Sequence, residues 1–366
     1  MRVAFDATAL YGPRTGVGVF TDELLRRLPD EELSVVAYAV TWRGRGRLST
    51  LVPATVRPAT RPMAARPLRA LWRRRDWPPI EWWTGPVDVT HGPNFVVPPT
   101  RGAALATVHD LTPVHFPALS TADTLQYPGL LRRAVRRGAH IHTVSSFVKD
   151  EVCEVLGVPE ARVHVVANGV SDVAHGDPAR GRAVAGGARY VVALGTIEPR
   201  KDLPRLVRVF DAIAADHPDL RLVVAGPDGW GTVAFQDAVA VAHHRDRIVR
   251  VGWVDGARRA DLLAGATVFA YPSRYEGFGL PPLEAMAAGL PVVTTRAGAL
   301  PEVVGDAAEL VAPDDDDALA TGLVHVLDDS DWRDELIARG ARRASQFSWR
   351  ACAHGIAAVY RTITSA

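Results

Sequence analysis

Glu276 and Glu284 are the first residues from which a chemistry can be read. They stand eight positions apart in the run 271–293, YPSRYEGFGLPPLEAMAAGLPVV. A strand over 267–271 is expected to end in a loop carrying Glu276, Gly277, Phe278 and Gly279. A helix then starts at Pro281 or Pro282, where proline suits the first turn. Glu284 falls in that first turn, and Gly289 stops the helix. A glycine-lined loop running into a helix N-terminus presents backbone N–H groups and the positive end of the helix dipole. That combination favours an anion, phosphate above all. Two carboxylates directed at the same pocket can accept hydrogen bonds from the hydroxyls of a sugar or a ribose. Taken singly, Glu284 could equally complement the helix dipole and Glu276 could be a solvated loop residue.

Three further groups could act with them. Arg200 and Lys201 follow a strand and the turn from Gly195 to Pro199, a position from which a planar fork and a compact point charge can meet a diphosphate. An ordinary Arg-Lys pair is surface charge. Thr15-Gly16-Val17-Gly18 opens the first helix, and its two glycines allow close backbone approach to a ligand. The full G-x-G-x-x-G of dinucleotide enzymes is missing there. His109 and Asp110 follow a strand over 103–108, at the edge where ligands bind α/β sheets. The residues His91, His115, His140 and His142 are expected to be structural. Ser145, Lys149 and Asn168 end later strands, and Ser145 is as well explained as a helix cap.

The elements that must position these groups are legible as βα alternation. Strands are expected at 2–6, 33–40, 87–90, 103–108, 140–144 and 163–166. A second series covers 190–195, 220–225, 248–252, 267–271, 291–294 and 309–311. Helices are expected at 17–28, 121–138 and 145–156, between the later strands, and at 331–345 and 349–363. Residues 41–86 read as irregular and rich in Arg, Pro and Trp. Residues 171–188 lack periodicity and read as a linker. The two halves suggest Rossmann-like domains facing a central cleft: 1–170, joined by the C-terminal helix 349–366, and 189–348.

Composition narrows the function. The 366 residues carry 42 basic and 41 acidic side chains, a net charge of +1, which argues against a dedicated nucleic-acid binder. Two cysteines exclude a disulfide scaffold and a cysteine-built zinc site. There is no His-Glu-x-x-His, and Asp-x-Asp occurs only inside the acidic C-terminal run, at 314–317 and 329–331. No apolar run reaches the ~18 residues needed to span a bilayer, and the N-terminus MRVAFDATALYG turns polar too quickly for a signal peptide. The expectation is a soluble, cytoplasmic protein. Its charge is uneven: ten arginines and no acid lie from Leu33 to Arg75, eleven acids and one arginine from Asp306 to Glu335.

The segment around Glu276 resembles the signature of retaining glycosyltransferases of family 4. So do LGTIEPRKD (194–202), VVAGPDGWG (223–231) and TTRAGALPEVVGDAAELVA (294–312). VHDLTPVHFP (108–117), HTVSSFVKDEV (142–152) and VHVVANGV (163–170) resemble the same family's acceptor domain. The resemblance covers most of the chain outside 41–86 and the linker. It implies a GT-B fold, with an N-terminal domain that binds the acceptor and a C-terminal domain that binds a nucleotide-sugar donor. It implies no cofactor and no metal ion. By resemblance Glu276 contacts the donor sugar and Glu284 the ribose. Arg200, Lys201, Phe278, Gly279, Leu280, Gly16 and Gly18 belong to donor binding, and His109 and Asp110 lie beside the transferred sugar. Thr196 stands where many members carry a further arginine.

The pattern from TIEPRK through AGPDGWG most resembles members using GDP-mannose. A UDP-hexose donor is the alternative, as is an inactive GT-B binding module; a phosphorylase, a sugar epimerase and, more remotely, an NAD-dependent oxidoreductase are the other rivals. The acceptor could be a growing polysaccharide, a lipid-linked sugar or a small metabolite. A front-face substitution is expected, since no nucleophile can be placed. Glu276→Gln should then cost kcat far more than stability. Seven arginines and four tryptophans lie between Arg57 and Trp83, with RPLRALWRRR (66–75) able to form a short amphipathic helix. This segment suits an anionic membrane surface at the inner face, a phosphate-bearing acceptor, or an insertion held down by buried tryptophans.

Overall fold

The computed structural model describes residues 1–12, 16–42, 44–171 and 176–365. The chain forms two compact units. One comprises Met1–Gly169 with the segment from Ser348 onward, the other Val170–Phe347.

The first unit is built on seven strands: β1 Arg2–Asp6, β2 Ser34–Tyr38, β3 Arg57–Pro58, β4 Val89–Gly92, β5 Ala103–Val108, β6 His140–Thr143 and β7 Val163–Val165. All pair in parallel in the order β3-β2-β1-β4-β5-β6-β7. Parallel strands covered on both faces must be apolar throughout, and Val3, Ala4 and Phe5 of β1 are fully buried. Helix Gly16–Arg27 buries Phe20, Leu24 and Leu25 on one side. On its outer side Arg26 and Arg27 reach back one turn to Asp22 and Glu23.

The second unit has six strands: β8 Arg189–Leu194, β9 Leu220–Ala225, β10 Ile248–Gly252, β11 Val268–Tyr271, β12 Val292–Thr295 and β13 Glu309–Val311. Their order is β10-β9-β8-β11-β12-β13, again all parallel. Each sheet therefore reverses direction beside its first strand, at β1/β4 and at β8/β11. Ligands of open α/β sheets bind beyond the carboxyl ends of the strands at such a switch point.

Two stretches are more ordered than the sequence suggests. Within 171–188, Pro178–Val184 is a helix capped by Asp177, whose carboxylate accepts from Ala179 N at 2.8 Å. Residues 41–86 contain β3 and helices Leu48–Leu51, Ala65–Trp72 and Glu81–Thr84. Trp72 is buried in a cluster with Tyr38, Met63 and Ile80, and its indole N–H donates to Pro78 O at 3.1 Å. Trp83 donates to Pro62 O at 3.0 Å, and Arg57 and Arg61 donate to the carbonyls of Thr84 and Trp82. Several arginines of this segment hold backbone carbonyls in place.

The C-terminal helix Trp349–Ser365 belongs to the first unit and buries Trp349, Cys352, Ile356 and Tyr360. A directed string of hydrogen bonds ties it to the sheet. His142 Nε2 lies 2.8 Å from Val166 O and must donate to it. Burial holds His142 at about 3 and His91 well below the ordinary histidine range, so both rings are neutral. His142 Nδ1 therefore accepts from Thr107 Oγ1 at 2.9 Å, and Thr107 accepts from His91 Nε2 at 2.7 Å. His91 Nδ1 in turn accepts from the Tyr360 hydroxyl at 2.6 Å. His115 and His140 are likewise partnered, by Glu151 and His164. Ser145 caps helix Ser146–Leu156 by accepting from Val148 N.

Candidate active site

The switch point of the second sheet assembles the predicted cations and one of the two glutamates. After β8 the chain makes a single 3-10 turn, Pro199–Lys201, in which proline presets the backbone and delivers Arg200 and Lys201 in succession. After β11 the loop returns Glu276 to the same place. Its backbone is held from behind: Ala299 N donates to Glu276 O at 2.9 Å. Gly298 has φ +59°, and a Cβ there would lie 2.3 Å from that carbonyl oxygen, so only glycine fits. Arg274 braces the loop against the first turn, with its N–H on Arg200 O at 2.8 Å and its guanidinium on Asp202 at 2.8 Å.

Three hydrogen-bond donors and one ion-paired guanidinium converge on a single carboxylate oxygen, Glu276 Oε1. Lys201 Nζ lies at 2.5 Å, Ser273 Oγ at 2.8 Å, Tyr271 OH at 2.9 Å and Arg200 Nη1 at 3.0 Å. Lys201 also bonds the Tyr271 hydroxyl, and Arg200 Nε holds Glu198 at 2.8 Å. Burial alone would push the Glu276 carboxyl up. Lys201 and Arg200 overcome it and hold the group at about 2. Burial and the neighbouring Arg200 lower the pKa of Lys201, and Glu276 partly restores it. With Glu198 on Arg200 and Glu276 between the two cations, the cluster pairs two positive with two negative charges. Glu276 keeps the two cations side by side.

Tyr271 and Ser273 join this cluster on Glu276, and sequence reasoning left both out. Tyr271 reads as the last core residue of a strand, and the only local signal for Ser273 is its spacing of three from Glu276. Trp230 and Trp253, also unassigned from sequence, stand exposed just after β9 and β10, on the same carboxyl edge.

Glu284 is placed differently from the expectation. The helix starts at Leu280, before both prolines, and has no acid in its first turn. Glu284 sits a turn further on, ion-paired with Arg259 of helix Gly256–Gly265. The dipole reading is thereby set aside, and Glu284 is not among the groups gathered on Glu276. Gly279 precedes the helix at φ +110°; Pro281 and Pro282 carry no N–H and Leu283 N donates back to Gly279 O at 3.5 Å, so of these first helical residues Leu280 alone brings a further backbone N–H to the loop. Phe278 is buried against Phe347, ring centroids 5.8 Å apart, so its ring serves packing.

In the first unit His109 and Asp110 do follow β5. His109 Nε2 is 2.8 Å from Pro93 O and its ring meets Phe20 edge-on at 4.9 Å. Burial lowers its pKa, with Pro93 and Asp110 opposing. The Nε2 atom therefore carries the proton, and Nδ1 keeps its lone pair. Asp110 Oδ1 accepts from Thr112 N at 2.9 Å, closing a local turn. Gly16 is the first residue of helix Gly16–Arg27 and exposed, whereas Gly18 is buried within it. Thr15 lies outside the described residues. Among the described residues no group of three or more His, Cys, Asp or Glu is placed to hold a metal ion, and no helix is long and apolar enough to cross a membrane.

Comparison with known proteins places this arrangement. Residues 14–173 match the family described as "Glycosyltransferase Family 4", and residues 179–343 match "Glycosyl transferases group 1". The O-antigen chain mannosyltransferase B of Escherichia coli is 29% identical over 378 aligned positions, covering 96% of this chain and 97% of that protein. The phosphatidyl-myo-inositol mannosyltransferase of Mycolicibacterium smegmatis is 31% identical, covering 73% and 67%. Sucrose-phosphate synthase from Thermosynechococcus elongatus superposes with a TM-score of 0.76 at 20% identity over 100% and 99% of the two chains, a likeness of fold. The cationic turn after β8, the clamped glutamate after β11 and these matches agree: the chain belongs to the group 1 glycosyltransferases and is a transferase of the GT-B fold.

Proposed function

We propose that the protein transfers a mannosyl residue from GDP-mannose to a hydroxyl of a saccharide acceptor, with retention of anomeric configuration and without a metal ion. The observation that carries the chemistry is the convergence of Arg200 and Lys201 on Glu276 at the second switch point. The choice of mannose rests on the mannosyltransferase that aligns over nearly the whole chain. Arg200 and Lys201 offset the charge that develops on the departing diphosphate, the kind of pre-placed electrostatic stabilisation that dominates many transfers. Glu276 stays ionised and keeps the two cations together. Its Oε2 accepts a hydroxyl of the donor sugar, and Glu284 a ribose hydroxyl. The bond from the anomeric carbon to the phosphate oxygen breaks, and the acceptor oxygen bonds to that carbon from the same side. The acceptor proton passes to the leaving phosphate. We assign His109 and Asp110 to the acceptor side. For residues 57–83 we favour a fixed wall of the acceptor unit over a membrane-binding blade, because Trp72 and Trp83 spend their indole N–H groups inside the protein.

A thermal-shift screen against GDP, UDP, ADP and dTDP, with NAD as control, tests the donor. A ligand of the native state raises Tm by mass action. GDP alone should shift Tm, the shift should vanish in Lys201→Ala, and labelled mannose should pass from GDP-mannose to acceptor with EDTA present. A shift with UDP alone would replace mannose by a UDP-hexose. A shift with NAD alone would overturn the glycosyltransferase chemistry.

A further inference from the structure

Of the four tryptophans between Trp72 and Trp83, two are fixed by hydrogen bonds within the fold and two are not accounted for by packing. Trp77 is 52% exposed and Trp82 48% exposed. Their rings meet at 5.0 Å and 84°, an L-shaped aromatic corner. The corner lines a cavity of about 370 Å³ whose other walls include Asp76, Arg101, Arg137 and the first residues of β5. The Asp76 carboxylate is held by Arg133 at 2.8 Å and Arg137 at 3.0 Å. Prolines 79, 98 and 99 stiffen the remaining wall.

The cavity lies at the amino end of β5, whereas His109 and Asp110 stand at its carboxyl end. Six residues of strand separate the two edges by about 20 Å. The cavity is therefore separate from the groups assigned above to the reaction. Its chemistry is that of a surface for a neutral sugar. Aromatic faces cover the C–H face of a pyranose, a fixed carboxylate accepts its hydroxyl protons, and guanidinium groups donate to its oxygens.

The geometry points to a second saccharide site, in which Trp77, Trp82 and Asp76 hold a distal part of an oligosaccharide chain whose end is extended at the other edge of the sheet. This deepens the reading of a saccharide acceptor and rests on it for the identity of the bound chain. It makes the enzyme favour long acceptors over short ones.

The test is direct binding. The full-length protein is titrated with α-linked mannotetraose and with maltotetraose, followed by tryptophan fluorescence and calorimetry. Saturable binding of at least one is expected, weakened tenfold or more in the double variant Trp77→Ala/Trp82→Ala, with Tm and the nucleotide-induced shift unchanged. Asp76→Asn, which leaves both indoles in place, should weaken the same binding several-fold. No saturable binding of either sugar overturns the proposal, as does undiminished binding by the double variant. Adsorption to phosphatidylglycerol vesicles through the two tryptophans, with no oligosaccharide binding, overturns it in favour of a membrane face. If GDP-mannose is not turned over but the sugar binds through Trp77 and Trp82, the mannosyl-transfer reading fails and this site stands.

Discussion

Replacing Glu276 by glutamine tests the central electrostatic claim. The substitution keeps shape and removes one charge from between Lys201 at 2.5 Å and Arg200 at 3.0 Å. Lys201 then loses its only direct ion-pair partner among the described residues, Arg200 keeps Glu198, and breaking a buried pair in this way is costly. The size follows from proton linkage. The carboxyl moves from its ordinary 4.5 to about 2 on folding. At about 1.36 kcal/mol per pH unit, that gap makes a contribution of about 3 kcal/mol. Because the folded value is depressed, the contribution is complete above pH 4.5 and is lost as pH falls toward 2. Calorimetry at pH 7 should find the transition of the second unit lowered by about 6–12 °C in Glu276→Gln, at about 2–4 °C per kcal/mol for a unit of this size. The difference between variant and wild type should close as pH falls from 4.5 to 2. Turnover should drop by about two to three orders of magnitude, the usual loss when one element of a charge-stabilising site is removed. The burial of this carboxylate thus adds a stability cost to the purely catalytic one expected from sequence. A stability difference that stays constant between pH 7 and pH 2 would refute the linkage argument, and wild-type turnover would refute the assignment.

Three other outcomes follow from the geometry. Thr107→Val removes the link between His91 and His142 and strands a donor on one and an acceptor on the other, so the first unit should lose about 2–4 kcal/mol, read by its calorimetric transition. The same histidines are neutral when folded and protonate when unfolded, so this unit should begin to lose stability below about pH 6.5, well before the second unit does; acid sensitivity of both units starting together near 4.5 would contradict the hydrogen-bond string. Gly298→Ala forces a methyl group against the Glu276 carbonyl at positive φ, and should lower both Tm and kcat, with a strain cost of about 1–3 kcal/mol. Glu284→Ala should raise the KM for the donor with a smaller change in kcat, because this carboxylate lies outside the group gathered on Glu276; an unchanged KM would remove Glu284 from donor recognition.

The parts legible in the sequence are those with a local physical cause. Parallel strands are continuous apolar runs ended by glycine or a polar residue, so β8 and β11 could be read almost to the residue, and with them Arg200, Lys201 and Glu276. Proline at 281 and 282 marked a helix start. Either proline can stand at the second or third helical position as well as the first, so the start lies at Leu280 and Glu284 moves out of the first turn. Its partner Arg259 lies 25 positions away, beyond any local pattern. Helix Pro178–Val184 spans two turns, too few to show a period, and it packs by close approach of Gly181 to Asp261 and Gly265. The four tryptophans of the basic segment are alike in sequence. Only the fold separates Trp72 and Trp83, with bonded indoles, from Trp77 and Trp82, which line a cavity.

The path of the chain through the two units imposes an order on their folding. Val170–Phe347 is a continuous stretch, and on the ribosome it can complete its own sheet as soon as it emerges. The first unit is made earlier but finished later. Until Trp349–Ser365 has been synthesised, β4 and β5 lack the helix that covers them, and His91 lacks the Tyr360 hydroxyl that ends its hydrogen-bond string. The nascent first sheet therefore waits with an uncovered apolar face while the inserted unit folds. During that interval the protein is most exposed to chaperones, proteases and aggregation.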